Sequence, residues 1–264
     1  MTYLDRALSH VAALDDLARR ETPLTRLDPR AKVIVTFAFL VTVASFGRHQ
    51  VSQPLPLLVY LAAAMAFGDI PWRVVLARLA IASPFAILVG MWNPIFEAQL
   101  VQLGPWTIAA GWLSLVSILE RFSLALMIVL LLLATTGMDA VAAALGRLGM
   151  PRVLVTQVLL LHRYGFVLGA EISRMMRAHL LRAAGRAPEL STARSMLGGL
   201  FLRSIARAER VHEAMLCRGF DGVVRRRSRM HLGARDALFV CGSTGFFALV
   251  RLVDLPRLLE PVFS

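Results

Sequence analysis

Long apolar stretches alternate with polar segments along the chain. The length of each apolar stretch is near the lower end of the roughly 17–25 residues that an α-helix needs to cross a bilayer. The stretches run from Ala31 to Phe46, from about Pro54 to Phe67, from about Leu76 to Trp92, from Phe122 (or, extended backward, Trp112) to Met138, and from Ala237 to Val253. The pattern predicts an all-α fold: a polytopic membrane helix bundle of about five spans.

A region of roughly a hundred residues, rich in arginine, separates the fourth span from the last. It contains two helical patterns with a break at Gly185 to Ser191. The first pattern, Val153 to about Ala184, starts apolar and becomes basic. The second, Thr192 to Phe220, is amphipathic throughout and would be roughly 43 Å long. We expect two long cytoplasmic helices, although Val153 to Leu161 also fits part of a sixth span or a half-buried helix.

The pattern divides the chain into four parts. Residues 1–30 are a polar, cytoplasmic N-terminal segment, and residues 31–138 are a transmembrane bundle of about four spans. Residues 139–234 form the cytoplasmic region with the two long helices, and residues 235–264 hold the last transmembrane helix and the C-terminus.

Composition supports a membrane location. Hydrophobic residues make up 57% of the 264 residues and charged residues 17%, with a net charge of +12. Such a charge in a soluble protein would suggest nucleic-acid binding, but the positive-inside rule accounts for it here. Arginines concentrate between Arg147 and Arg229, whereas the loop from Asn93 to Thr107 has neither Lys nor Arg. We expect the arginine-rich region inside, that loop outside, no nucleic-acid partner and, because no signal-peptide pattern is present, a cytoplasmic N-terminus.

Candidate chemistry within the chain is sparse. The sequence has no GxxxxGK[ST] phosphate-binding loop, its six histidines form no HExxH pair, and two cysteines are too few for a thiolate cluster. Charged residues are nearly absent from the spans, and we interpret Glu120 and Arg121 as an interfacial pair. The sequence predicts no catalytic residue, no metal site and no cofactor in this chain.

Both predicted cytoplasmic helices end alike, in "LLRAAG" and "LCRGFDG". One arginine in a last helical turn is explained by the helix dipole, at about 0.3–1 kcal/mol. With two such arginines, docking into acidic grooves becomes a competing explanation, because the planar guanidinium makes paired hydrogen bonds to carboxylates. The candidate docking residues are Leu181, Arg182, Ala183, Cys217, Arg218 and Gly219.

The segment "ARAERVHEAMLCRGFDG", Ala206 to Gly222, resembles the signature of the transmembrane T component of energy-coupling factor (ECF) transporters, in which an acidic residue, an "AM" pair and "RG" follow in this order. The likeness continues in "LTRLDPRAKVIVTFAFL" (Leu24 to Leu40) and "LHRYGFVLGAEISRMMRAHLLRA" (Leu161 to Ala183). Together these segments resemble the cobalt-type branch of the family, CbiQ. "LLRAAG" departs from the commoner Ala-Arg-Gly or Ala-Arg-Ser form.

The resemblance implies a non-catalytic scaffold in the lipid bilayer of the bacterial cytoplasmic (inner) membrane. Its two arginine motifs would bind grooves on a homodimer of CbiO-like ATP-binding subunits, which would hold the ATP and Mg. A separate CbiM-like membrane subunit would bind the substrate, with a small CbiN-like accessory subunit as a further partner. Cobalt follows from the resemblance alone, and nickel or a vitamin is the alternative.

A different class of function is a membrane-embedded enzyme with its active site at the cytoplasmic face. Its acid and base candidates are the "HRYG" segment, His162 to Gly165, and Glu171. The enzyme hypothesis requires polar groups that converge on one pocket. The scaffold hypothesis requires an ATPase that co-purifies with the chain.

The predicted orientation is tested with single cysteines in a background lacking Cys217 and Cys241. With a membrane-impermeant thiol reagent on intact cells, Gln99→Cys should be labelled and Ser195→Cys should not, since the arginine-rich region is held inside. Labelling of the Ser195→Cys variant from outside would reverse the orientation.

Overall fold

The computed structural model describes residues 17–18, 20, 22–47, 52–92, 100–103, 106–224 and 232–252. The elements there are eight helices and one antiparallel hairpin. The helices are α1 Pro29–Ser45, α2 Leu55–Phe67, α3 Trp72–Gly90, α4 Ala110–Thr136, α5 Met138–Arg147, α6 Arg152–Arg182, α7 Leu190–Leu216 and α8 Ala234–Leu252. The strands are β1 Leu100–Leu103 and β2 Trp106–Ala109, paired with Leu100 opposite Ala109. The predicted helical membrane bundle is confirmed, and the hairpin is an addition within the predicted outer loop.

The chain forms two compact units. The bundle unit consists, in its described part, of residues 17–137 and 232–252, with α1 to α4, the hairpin and α8. The arm unit comprises residues 138–224 in its described part, with α5, α6 and α7. The helices α6 and α7 correspond to the two long helices that the sequence predicts after the fourth span, whereas α5 was not predicted.

Three of the described helices are long and apolar enough to cross a membrane: α3, α4 and α6. The helix α2 is apolar but has only 13 residues. In α3, the large side chains of Ile81, Phe85 and Leu88 are exposed, an apolar surface of the kind that faces lipid rather than water. The helix α6 is among these three because its first half is apolar. The same apolar residues, Val153 to Leu161, also fit the sixth span that the sequence analysis gives as an alternative.

Aromatic side chains fill the contact between α1, α2 and α8. The rings of Phe39 and Phe247 meet edge to face with centroids 5.3 Å apart, and Tyr60 meets Phe247 at 4.9 Å. The Tyr60 hydroxyl donates a hydrogen bond to Ser243 Oγ at 3.1 Å, so the ring's polar end is also satisfied in this interior. The helix α4 packs against α1, α2 and α3 and contributes the fully buried Leu124 and Ile128.

Two helix N-termini meet at a single carboxylate. Asp28 caps α1, since its side chain accepts from the Arg30 N–H at 2.8 Å. Asp236 Oδ2 accepts from the N–H of Gly233, which precedes α8, at 2.9 Å, and its Oδ1 accepts from the Asp28 N–H at 2.8 Å. Asp236 therefore satisfies backbone donors at the starts of both α1 and α8, donors that a helix start leaves without an intrahelical partner.

A buried lysine connects this pair to the end of a third helix. Lys32 lies one turn into α1, is 5% exposed, and donates from Nζ to the Thr135 carbonyl at 3.0 Å. Thr135 is in the last turn of α4, where a cation complements the negative end of the helix dipole. We call Asp28, Lys32 and Asp236 the helix-end cluster; all three are buried.

The fourth-span pair predicted from the sequence is arranged differently. Arg121 Nη2 donates to the Gly47 carbonyl, next to the end of α1, and not to its neighbour Glu120. Both carboxylate oxygens of Glu120 are buried and have no hydrogen-bond partner among the described residues. Arg121 thus hydrogen-bonds to the chain after α1 rather than to Glu120, and the interfacial pair stays a prediction, since the two side chains are close enough for their charges to interact.

We expect Asp236→Ala to destabilise the bundle unit by about 3–5 kcal/mol, because it leaves the Asp28 and Gly233 N–H groups without their acceptor and removes one of the two buried carboxylates whose charge acts on the Lys32 ammonium. Asp69→Asn is the control, since Asp69 is exposed and Asn tolerates the same positive φ of 49°. Thermal unfolding in detergent measures the difference. Equal melting temperatures for the two variants would contradict the capping role.

Candidate docking site at two helix ends

The two long helices of the arm unit contact each other at two levels. Near the middle, Arg203 of α7 donates to Glu171 of α6 at 3.4 Å. At the start of α6, Thr156 Oγ1 donates to the carbonyl of Gly222, which follows α7, at 3.1 Å. The end of α7 therefore returns to the beginning of α6, and the two helices form an antiparallel pair.

This pairing separates the two arginine motifs. Arg218 lies four residues before Gly222, close to the Thr156 level of α6. Arg182 is the last residue of α6, 26 residues beyond Thr156, which is roughly 39 Å along the helix at 1.5 Å per residue. The motifs thus occupy opposite ends of the antiparallel pair, and one small groove on a partner cannot hold both.

The end of α7 is a Schellman turn. The Phe220 N–H donates to the Met215 carbonyl at 3.0 Å and the Gly219 N–H to the Leu216 carbonyl at 2.9 Å. Gly219 has φ +75°, a conformation that side chains with a Cβ disfavour. Arg218 stands directly before this left-handed residue, so it marks the point where the helix stops.

The end of α6 is similar to the end of α7 in its hydrogen bonding, but its arginine stands at a different position relative to the left-handed residue. The Gly185 N–H donates to the Leu180 carbonyl at 2.8 Å, yet the first left-handed residue is Ala184, with φ +48°. Arg182 stands two residues before that position, whereas Arg218 stands one residue before its own. The two motifs share a sequence pattern and a type of helix end, and they present their arginines differently.

Both helix ends carry exposed side chains. Leu181, Arg182, Cys217 and Arg218 are exposed, as is Gly219, and Ala183 is half-buried. Leu181 is 85% exposed. In the described part of the chain, neither the Arg182 nor the Arg218 guanidinium has a hydrogen-bond or ion-pair partner. Each tip therefore offers an arginine whose donors are all available to another molecule.

A groove of about 500 Å³ separates the first half of α6 from the second half of α7. Its walls are mostly apolar and include Leu160, Tyr164, Val211, Met215 and Phe220. Phe220 follows the left-handed Gly219 and lines this groove together with Met215, the apolar contact that accompanies a Schellman turn. The turn therefore buries part of Phe220 in the groove, while the preceding Arg218 remains exposed.

Of the residues proposed for an enzyme site, Tyr164 lines the groove, whereas His162 and Glu171 lie apart from it and from each other. His162 Nδ1 lies 3.2 Å from Asp139 Oδ1, and the two oxygens of Glu171 contact Arg174 and Arg203. His162 and Glu171 are nine residues apart on α6, about 13 Å along its axis, and neither lines the groove. Among the described residues, no three His, Cys, Asp or Glu side chains lie together as metal ligands.

Sequence analysis did not single out the helix-end cluster. A signal was available, because Lys32 is a charged residue at the start of an apolar stretch and stands four residues after Asp28 in "LDPRAK". The partner Asp236 is more than two hundred residues away in the chain, so nothing local identifies it.

The fold and the exposed helix ends define an integral membrane protein with a helical bundle unit and a second, arginine-bearing helical unit. The chain belongs to the CbiQ family, described as cobalt transport proteins, whose model matches residues 20–232. It is also similar to an uncharacterized protein of Methanocaldococcus jannaschii, with 29% identity over 123 residues. That match covers 46% of this chain and 42% of the relative, so the chain spans less than half of the relative's length.

The Schellman turn is tested with a pair of glycine substitutions in the same segment. Gly219→Ala should fray the last turn of α7 at a cost of about 1–2 kcal/mol, because alanine must adopt a positive φ. Gly198→Ala should instead stabilise α7 by about 0.5–1 kcal/mol, since Gly198 is inside the helix. A Cβ at either position meets no atom within 4 Å, so clashes do not enter. Amide hydrogen exchange along α7 measures both effects, and unchanged protection in Gly219→Ala would contradict the assignment.

Proposed function

We propose that this chain is the transmembrane T component of an ECF-type importer. In this role it couples ATP hydrolysis by partner ATPases to a separate membrane subunit that binds the substrate. It holds neither ATP and Mg nor the transported ion, and it catalyses no reaction. The observation that carries the proposal is the pair of exposed arginines, Arg182 and Arg218, each without a partner among the described residues and each at the end of a long helix.

The separation of the two arginines supports a pair of ATPases rather than one. Because Arg182 and Arg218 lie at opposite ends of an antiparallel helix pair, roughly 39 Å apart along α6, each needs its own groove. A homodimer of CbiO-like subunits presents the same groove twice. The difference in register between the two helix ends means that identical grooves would grip the two arginines through different flanking residues.

Burial of each arginine in an acidic groove has a definite energetic consequence. Removal of one partner from a buried, hydrogen-bonded charge pair costs about 2–5 kcal/mol, since the other charge is left desolvated. A helix-dipole role alone would involve at most about 1 kcal/mol. The two explanations of the arginines are therefore separable by measurement.

The remaining assignments follow from the family and from the charge distribution. Cobalt is the proposed substrate because the matching family is described as cobalt transport proteins; nickel is the alternative for a site on another subunit. A CbiM-like subunit would bind the ion, with a small CbiN-like subunit as a further partner. We place the protein in the bacterial inner membrane with the N-terminus and the arginine-rich region in the cytoplasm, as the positive-inside rule favours.

The proposal predicts that the ATPase co-purifies with the chain and that the isolated chain hydrolyses no ATP. Each of Arg182→Ala and Arg218→Ala should weaken ATPase binding by roughly 30-fold to several-thousand-fold, and the double variant should abolish uptake while the membrane protein still folds. Arg218→Lys should restore function only in part, because lysine keeps the charge and loses the planar fork.

Arg186→Ala and Arg210→Ala are the matched controls. Both arginines are exposed; Arg186 lies four residues after Arg182, and Arg210 lies eight residues before Arg218. Co-purification from detergent and cobalt uptake into cells are measured for every variant. A double Arg182→Ala, Arg218→Ala variant that retains the complex and full uptake would refute the coupling role.

A further inference from the structure

The helix-end cluster joins the ends of three helices in the bundle unit. Asp28 and Asp236 satisfy the starts of α1 and α8, and Lys32 binds the Thr135 carbonyl in the last turn of α4. All three charged side chains are at least nine-tenths buried. These hydrogen bonds connect residues that are 103 and 208 positions apart in the chain. They are therefore long-range tertiary contacts between the starts of α1 and α8 and the end of α4.

Stability alone does not account for a buried lysine at this position. Buried ion pairs are often replaced by apolar residues of similar volume without loss of stability, since desolvation offsets much of the attraction between the charges. An ammonium group nevertheless provides something that a methyl group lacks: it binds one particular carbonyl in a defined direction. The specific property of Lys32 is thus the geometry that it imposes on the last turn of α4.

That last turn is followed directly by the boundary between the two units. Thr135 is followed by Thr136 and by Gly137, which has φ +76° and donates to the Leu133 carbonyl at 2.9 Å. The arm unit begins with the next residue, Met138. Lys32 therefore holds the carbonyl that lies two residues before Gly137, the last residue of the bundle unit ahead of this boundary.

We propose that Lys32 is a positioning residue for energy coupling: by holding the Thr135 carbonyl it fixes the last turn of α4, from which the chain passes into the arm unit. This inference rests on the proposed function, in which the arm unit binds the ATPases. Without the lysine the last turn of α4 yields under load, and force from the ATPases is dissipated at Gly137 rather than delivered to the bundle.

The experiment uses the complete complex in proteoliposomes, where cobalt uptake and ATP hydrolysis are measured together. In Lys32→Met, ATPase binding and ATP hydrolysis should persist, and uptake per ATP should fall by roughly 5-fold or more, the lower end of the range that coupling free energies span. Val35→Ala is the matched control, because Val35 is 2% exposed on the same helix and its truncation lowers stability while the Lys32 ammonium that binds Thr135 is kept.

The two variants are compared at equal distance from their melting temperatures. A lower uptake-to-ATP ratio in Lys32→Met than in Val35→Ala supports the positioning role, and equal ratios overturn it. If Lys32→Met does not assemble, Lys32→Arg keeps the charge and alters the donor geometry; it should assemble with a reduced ratio, and an unchanged ratio overturns the proposal. If the wild-type chain binds no ATPase, the proposed function itself fails. That outcome differs from an unchanged uptake-to-ATP ratio in a complex that assembles, which overturns only the role of Lys32.

Amide hydrogen exchange gives an independent readout. Exchange at Gly137 and Met138 should rise more in Lys32→Met than in Val35→Ala, since only the first variant releases the end of α4. Equal exchange at these two amides in both variants would show that Lys32 contributes only to general stability.

Discussion

A helix end that is buried in protein needs partners from the protein for its free N–H and C=O groups, because water does not reach them. In the bundle unit this constraint is met by one small set of charges. Asp236 satisfies donors at the starts of α1 and α8, and Lys32 satisfies an acceptor at the end of α4. The aromatic contacts among Phe39, Tyr60 and Phe247 then pack α1, α2 and α8 in the arrangement that these ends define.

The arm unit differs from the bundle unit in that its helices bury few side chains. No residue of α7 is buried, and the contacts between the two long helices include a charged one near their middle and a hydrogen bond at the start of α6. Such a pair has little core of its own, leaves a mostly apolar groove open and keeps its two terminal arginines exposed. These properties suit a surface that other subunits complete, whereas the buried charges of the bundle unit suit a scaffold that must keep its shape.

Much of the fold was predictable because its signals are local. Apolar stretches of membrane length located α1, α2, α3, α4 and α8 to within a few residues, where for α4 the extension back to Trp112 is the better of the two predicted starts. An apolar-to-basic pattern located α6, and amphipathic periodicity located α7. Gly219 predicted the end of α7, since few other residues accept its positive φ. The short helix α5 was missed although its ten residues, Met138–Arg147, are amphipathic, because only Gly137 separates them from the end of α4.

The sequence by itself determined the helices, the class of protein and the two arginine motifs, because periodicity, hydropathy and helix-stop residues act over a few neighbouring positions. Only the tertiary structure decided that α6 and α7 run antiparallel, so that Arg182 and Arg218 lie at opposite ends. It alone paired Asp28 with Asp236 and Lys32 with Thr135, and turned Arg121 toward Gly47 rather than Glu120. The physical reason is that a charge selects its partner by distance in the folded chain, and residues 103 or 208 positions apart become neighbours only when the helices pack.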